Sequence, residues 1–266
     1  MLRQRVLTAL GLVLALALVL LALPPALAVA AFAALVLAGA WEWAAFARLE
    51  SVAGRLAYVA LVAAAMAGLW LLAGGPVSLA AVLALVAGWW FAAFLWLALA
   101  PSRGGRTLAG AAGVIVLAPL WLGLTKLHGT GGVGSPFVIF ILLLTAAADV
   151  GAYFAGRRFG RQKLAPQVSP NKTWEGFLGG LAAATLVAVA GWAFFDFPAA
   201  AFLPLCAAAF LASVVGDLTE SMFKRHAGLK DSGHLLPGHG GVLDRIDSLS
   251  ASVPVFALGL AWLGVL

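Results

Sequence analysis

The chain has 266 residues, 64% of them hydrophobic and 10% charged, with a mean hydropathy of +1.07; that excludes an ordinary soluble domain, where about a quarter of residues are charged. A formal charge of +6 and a pI near 10.1 would suit nucleic acid, but the basic residues stand in short loops between apolar runs, so topology accounts for them and no nucleic-acid partner is expected. One cysteine, Cys206, excludes an intrachain disulfide and a cysteine-based metal site.

Taken in order, the first apolar run is Val6 to Leu23, broken by Pro24-Pro25. The alanines that follow allow a cleaved signal peptide, but the run is longer than the usual h-region of about 7–15 residues and reads as a retained first span. Further runs follow at Ala26–Phe46, Leu56–Ala73, Val77–Ala100, Leu108–Leu127, Pro136–Ala155, Gly176–Phe197, Ala199–Val215 and Leu249–Leu266. Each is near the length of about 20 residues that a spanning helix needs. Turn residues or charges separate them, as at Gly74-Gly-Pro76 and Phe197-Pro198. The reading is an all-α polytopic transmembrane bundle of about nine spans, five within residues 1–135 and four, with the polar loops, within 136–266.

Threading those spans with a cytoplasmic N-terminus puts fifteen of the sixteen Lys and Arg residues on the cytoplasmic side and leaves only Lys126 outside. The positive-inside rule therefore supports both number and orientation. Two polar loops then face the cytoplasm: Gly156 to Glu175, and the stretch from Ser221 to Asp247.

Polar residues concentrate in the C-terminal half. If the eighth helix continues past the apolar run, Asp217, Ser221 and Lys224 share one face; they are either a snorkelling helix end or a site. Asp244 and Asp247, three apart at the entrance to the last span, are equally helix-capping acids or ligands for Mg²⁺. His239-Gly240-Gly241 forms either a flexible re-entry loop or a turn whose N–H groups approach phosphate.

In Ser169-Pro-Asn171-Lys172-Thr173, Ser then Pro reads as an N-cap and first helical residue, bringing free N–H groups and Lys172 to a helix N-terminus suited to an anion. A plain membrane-helix cap is the other reading. Asp149 lies inside the sixth span, where an acid is costly unless paired or functional. Gly156 to Lys163 reads as an interfacial anchor, and Glu42, between Trp41 and Trp43, as an interface-belt residue. A transporter would place its acids nearer the midplane and show repeated halves; these polar groups cluster at one face.

Ser221-x-x-Lys224-Arg225, Lys230-Asp231 and Pro237-x-His239-Gly-Gly-x-x-Asp244-Arg245-x-Asp247 together closely resemble the signature of the phosphatidate cytidylyltransferase, or CDP-diacylglycerol synthase, family. The segments Asp149 to Gly160 and Ser169 to Gly176 are similar to that family's as well. The likeness covers roughly the second half of the chain. It implies the reaction of CTP with phosphatidate to give CDP-diacylglycerol and pyrophosphate in phospholipid biosynthesis, by a Mg²⁺-dependent homodimer in the bacterial inner membrane. It further implies that Asp217 and Asp244 hold the metal, with a second, monovalent cation such as K⁺ nearby.

On this reading the lipid phosphate is itself the nucleophile, already ionised at neutral pH, and the site must gather cations around two anions. Lys172, Lys224, Arg225 and Lys230 are the candidates. Asp247 is a metal ligand or its neighbour. Asp149, Ser169, Asn171, Thr173, Ser221, Asp231, His239, Gly240, Gly241 and Arg245 complete the expected substrate-binding set. A lipid kinase that uses CTP is the nearest rival and would release CDP instead of pyrophosphate.

Overall fold

A computed structural model of the protein describes residues 11, 14–75, 77–233, 235 and 240–266. The first apolar run is described only in part: residues 14–21 are helical and belong to α1. Eight helices follow: α2 (Pro25–Trp43), α3 (Val52–Ala73), α4 (Leu79–Leu99), α5 (Arg106–His128), α6 (Gly134–Phe159), α7 (Trp174–Phe195), α8 (Ala199–Ala227) and α9 (Leu243–Trp262). Those from α2 to α8 are long and apolar enough to cross a membrane, which makes this an integral membrane protein.

Helices α3 and α4 begin where the sequence supplies a cap. Ser51 accepts the Gly54 N–H at the start of α3, and Ser78 accepts the Ala81 N–H at the start of α4. Between α7 and α8, Asp196 takes a left-handed conformation with φ of 55° and Pro198 caps the next helix, so the expected break at Phe197-Pro198 holds.

The fold is not purely helical. Lys163–Ala165 (β1) and Ser169–Thr173 (β2) form a two-stranded antiparallel ribbon between α6 and α7, with Lys163 opposite Thr173 and Ala165 opposite Ser169. Ser169-Pro170 therefore does not start a helix. The N-cap of α7 is Thr173, whose hydroxyl accepts the Gly176 N–H at 3.1 Å. Proline is tolerated in such a two-stranded edge, where its missing N–H costs no central ladder bond. The Trp174 N–H closes the ribbon on the Gln162 carbonyl, and the Glu175 carboxylate takes the N–H groups of Arg161 and Gln162.

Helices α6 and α7 meet through small residues. A Cβ added to Gly179 would lie 2.2 Å from the Ala155 Cβ and 2.8 Å from the Gly151 carbonyl oxygen, and one added to Gly151 would lie 2.5 Å from the Gly179 carbonyl oxygen. This is backbone approach through small side chains, the usual source of helix association in lipid. Gly179→Ala is expected to cost about 1–3 kcal/mol by overpacking, read as a lower unfolding midpoint in detergent. Gly68→Ala, inside α3 where nothing stands within 4 Å of the added carbon, should hold or raise the midpoint, since alanine is the better helix former.

At one end of the bundle an aromatic cluster, Phe137, Phe140, Phe195, Phe202 and Phe256, ties α6, α7, α8 and α9 together. At the other end the same helices carry polar residues. The N-terminal helices buttress that polar end: Trp43 of α2 and Trp96 of α4 each pack on Phe223 of α8 with ring centroids 5.5 Å apart. α9 packs on α2, α4, α5, α6 and α8, so it is held from most sides.

Candidate active site

α8 runs 29 residues, about 44 Å at 1.5 Å per residue. That exceeds a bilayer's hydrocarbon core of about 30 Å. Its last turns therefore continue the helix beyond the apolar run and put Asp217, Glu220, Ser221 and Lys224 on one stripe, spaced i, i+3, i+4 and i+7.

Each member of the stripe meets another element. Lys172, from β2, forms a close ion pair with Asp217, and the Ser221 hydroxyl donates to Asp217 Oδ1 at 3.4 Å. The Lys224 ammonium stands 2.8 Å from Asp244 Oδ1 at the start of α9 and 3.0 Å from Glu220 Oε1. Asp247, one turn further along α9, interacts electrostatically with Asp217, Glu220 and Lys224, and Asp149 of α6 does so with Asp217 and Lys172. Five carboxyl groups thus share one network with two lysines.

Asp244 precedes the apolar run of α9 and is held by the loop. Its Oδ2 accepts the Ser232 N–H at 3.1 Å and the Gly241 N–H at 3.0 Å. Burial opposes its ionisation, but Lys224 and these two N–H groups outweigh burial and hold the carboxyl below the usual carboxylate range. The Gly241 N–H is consequently engaged by a side chain. Gly240, with φ of +80°, makes the turn that brings it there. His239 lies outside the described residues.

A cavity of about 510 Å³ opens between α6, α7, α8 and the ribbon, within the usual range for small-molecule sites. Its polar wall includes Asp149, Ser169, Asn171, Lys172, Thr173 and Asp217. Its apolar wall includes Ala152, Phe177, Phe210 and Val214. The residues singled out from the sequence thus divide into a cavity group and, behind Asp217, a group of Lys224, Asp244, Asp247, Gly240 and Gly241, with Ser221 between them. Arg225 is exposed and its Nε donates to the Val168 carbonyl at 3.4 Å, joining α8 to the ribbon. Lys230, Asp231 and Arg245 are exposed on the loop and the first turn of α9.

Four residues that the sequence reading gave no such place belong here. Glu220 is 2% exposed in the middle of the charged network; its i+3 spacing from Asp217 was the available signal. Tyr153 and Arg157 line the cavity, and the Arg157 guanidinium donates to the Tyr153 hydroxyl at 2.9 Å, so Arg157 faces the site and is not merely an interfacial anchor. Glu42 is not an interface-belt residue: it is 3% exposed, because it turns inward to the loop that precedes α9.

The chain matches the cytidylyltransferase family over residues 3–263. Among similar proteins, the phosphatidate cytidylyltransferase of Pseudomonas aeruginosa is 45% identical, the alignment covering 98% of this chain and 97% of that protein. The phosphatidate cytidylyltransferase of Haemophilus influenzae is 38% identical over 97% of this chain and 98% of its own. That of Staphylococcus saprophyticus is 44% identical over 52% of this chain and 54% of its own length.

Proposed function

The chain belongs to the cytidylyltransferase family, and from that premise we propose that it transfers the cytidylyl group of CTP to phosphatidate, giving CDP-diacylglycerol and pyrophosphate. A phosphate oxygen of the lipid attacks the α-phosphorus of CTP, and the bond from that phosphorus to the oxygen bridging the α- and β-phosphates breaks as pyrophosphate leaves. The lipid phosphate is ionised at neutral pH, with a second pKa of about 6, and needs no general base.

The observation that carries this reading is the Lys172–Asp217 pair on the wall of a cavity whose other walls are apolar residues of membrane helices. Such a cavity suits a substrate with a charged headgroup and acyl chains. Lys172, with Arg157 at the same cavity, supplies positive charge where two anions must meet. Ser169, Asn171 and Thr173 supply hydrogen-bonding groups around them, and Arg225, Lys230 and Arg245 extend the positive field toward solvent. Such preorganised charge is what phosphoryl transfer asks of a protein.

The donor set fits a divalent cation. Five carboxyl groups face two lysines, and both Glu220 oxygens lack a hydrogen-bond donor, Oε1 meeting only the Lys224 ammonium in an ion pair. Among the described residues no three acidic, His or Cys side chains form a ready cage; Mg²⁺ commonly takes one or two carboxylates and completes its shell with water and substrate phosphate, so two acids would suffice to hold it. We assign Asp217 and Asp244 to hold it, with Asp247 and Asp149 beside them and a monovalent cation in the same acidic cluster. When bound, Mg²⁺ neutralises charge on the α-phosphate and on the leaving pyrophosphate.

The same proposal includes nine spans, a homodimer in a bacterial inner membrane, and a site open to the cytoplasm. The one-sided distribution of lysine and arginine supports the orientation. The test is to give the purified protein labelled CTP, phosphatidate and Mg²⁺. A labelled liponucleotide with equimolar pyrophosphate is expected; release of CDP with phosphorylated lipid would instead identify a kinase.

A further inference from the structure

We propose that Glu42, near the C-terminal end of α2, is a positioning residue for this reaction: it clasps both ends of the loop between α8 and α9 and so presents Asp244 to Lys224. The inference rests on the cytidylyl-transfer reading of the site.

One carboxyl oxygen makes both contacts. Glu42 Oε2 accepts the Leu243 N–H at 2.8 Å, at the start of α9, and the Ser232 hydroxyl at 3.2 Å, at the other end of the loop. These partners are 201 and 190 residues away in sequence. Ser232 then turns its own N–H to Asp244 Oδ2 at 3.1 Å. A continuous path runs from Glu42 through Ser232 to Asp244 and on to Lys224.

The loop has no room for anything else at this point. A Cβ on Gly233 would lie 2.3 Å from Glu42 Oε1, and one on Gly241 would lie 2.5 Å from Glu42 Oε2 and 2.0 Å from the Ser232 hydroxyl. Glycine at both positions lets the backbone close directly on the carboxyl group. A residue that only capped α9 would require the Leu243 N–H alone. The bond to Ser232, and through it to Asp244, couples Glu42 to the charged network.

The test compares Glu42→Leu and Glu42→Gln, which fill similar volume while only glutamine keeps an acceptor oxygen, with Ser232→Ala and the Glu42→Leu/Ser232→Ala pair. Glu42→Leu is expected to lower kcat about 10-fold or more with the KM for CTP nearly unchanged. Glu42→Gln should stay within about 3-fold of the parent, since the hydrogen bonds survive. Ser232→Ala should lower kcat as well, and the double variant should fall no further than Glu42→Leu, because both break one link. Parent-like kcat in Glu42→Leu, a Glu42→Gln as impaired as Glu42→Leu, or additive losses would each overturn the proposal. Should Glu42→Leu not fold, parent-like kcat in Ser232→Ala does so. Asp244→Asn is the control for the underlying reading: full activity there removes the site assignment itself, whereas an inactive Asp244→Asn beside a fully active Glu42→Leu removes only the role of Glu42.

Discussion

Asp217→Asn is expected to lower liponucleotide formation by about 10²–10³-fold or more, the scale on which a single electrostatic stabiliser of a transition state acts, while the protein still inserts and folds. The two halves of that expectation have separate causes. Asp217 lines the cavity and, among the described residues, carries the only carboxylate within ion-pairing distance of Lys172, so its charge is where metal and phosphate must be reconciled. Asparagine keeps the shape and removes the charge. Stability should hold because Lys172 is not left alone: it still interacts electrostatically with Asp149, and the Lys172 and Asp217 side chains are 29% and 22% exposed, so solvent screens the loss. Product yield with labelled CTP, beside circular dichroism and elution volume in detergent, separates the outcomes. Parent-like turnover in Asp217→Asn would remove the metal assignment; a collapsed fold would make Asp217 a structural counter-ion of the ribbon.

What the sequence revealed follows the physics that acts along the chain. Spans are local: an apolar run of the right length needs a helix, and α2 to α7 lie within a few residues of the runs that announce them, while α8 starts with its run at Ala199 and continues well past Val215 to Ala227. The stripe on α8 was legible for the same reason, since helical spacing aligns Asp217, Ser221 and Lys224 once the helix continues. The Ser169-Pro170 segment misled because a cap signal was present, but Thr173, four residues on, also caps, and pairing with Lys163–Ala165 fixes Ser169–Thr173 as a strand. That pairing is not written in the local pattern. Glu42 was hidden for a stronger reason: flanked by Trp41 and Trp43 it has the local appearance of a membrane-interface residue, and the partners that bury it, Ser232 and Leu243, come from the opposite end of the chain.

Lys224→Met should cost about 3–5 kcal/mol of stability, the scale on which one partner of a buried ion pair is missed. Its side chain is 12% exposed and its ammonium lies between Asp244 and Glu220, whose side chains are 14% and 2% exposed; without it two carboxyl groups face each other with no cation between them. Turnover should fall as well, but loss in the single variant does not tell a counter-ion from a phosphate ligand. The double variant Lys224→Met/Glu220→Gln does. Glutamine removes the more buried of the two acids, so much of the lost stability should return, measured as the unfolding midpoint in detergent. An ammonium has three donors; one is hydrogen-bonded to Asp244, a second side is taken up by the ion pair with Glu220, and a third is left for a phosphate. If that third donor serves the reaction, the double variant regains its midpoint and stays inactive. If activity returns together with stability, Lys224 only balances the charge of its two neighbours, and the positive charge that meets the substrates is supplied from the cavity, by Lys172 and Arg157.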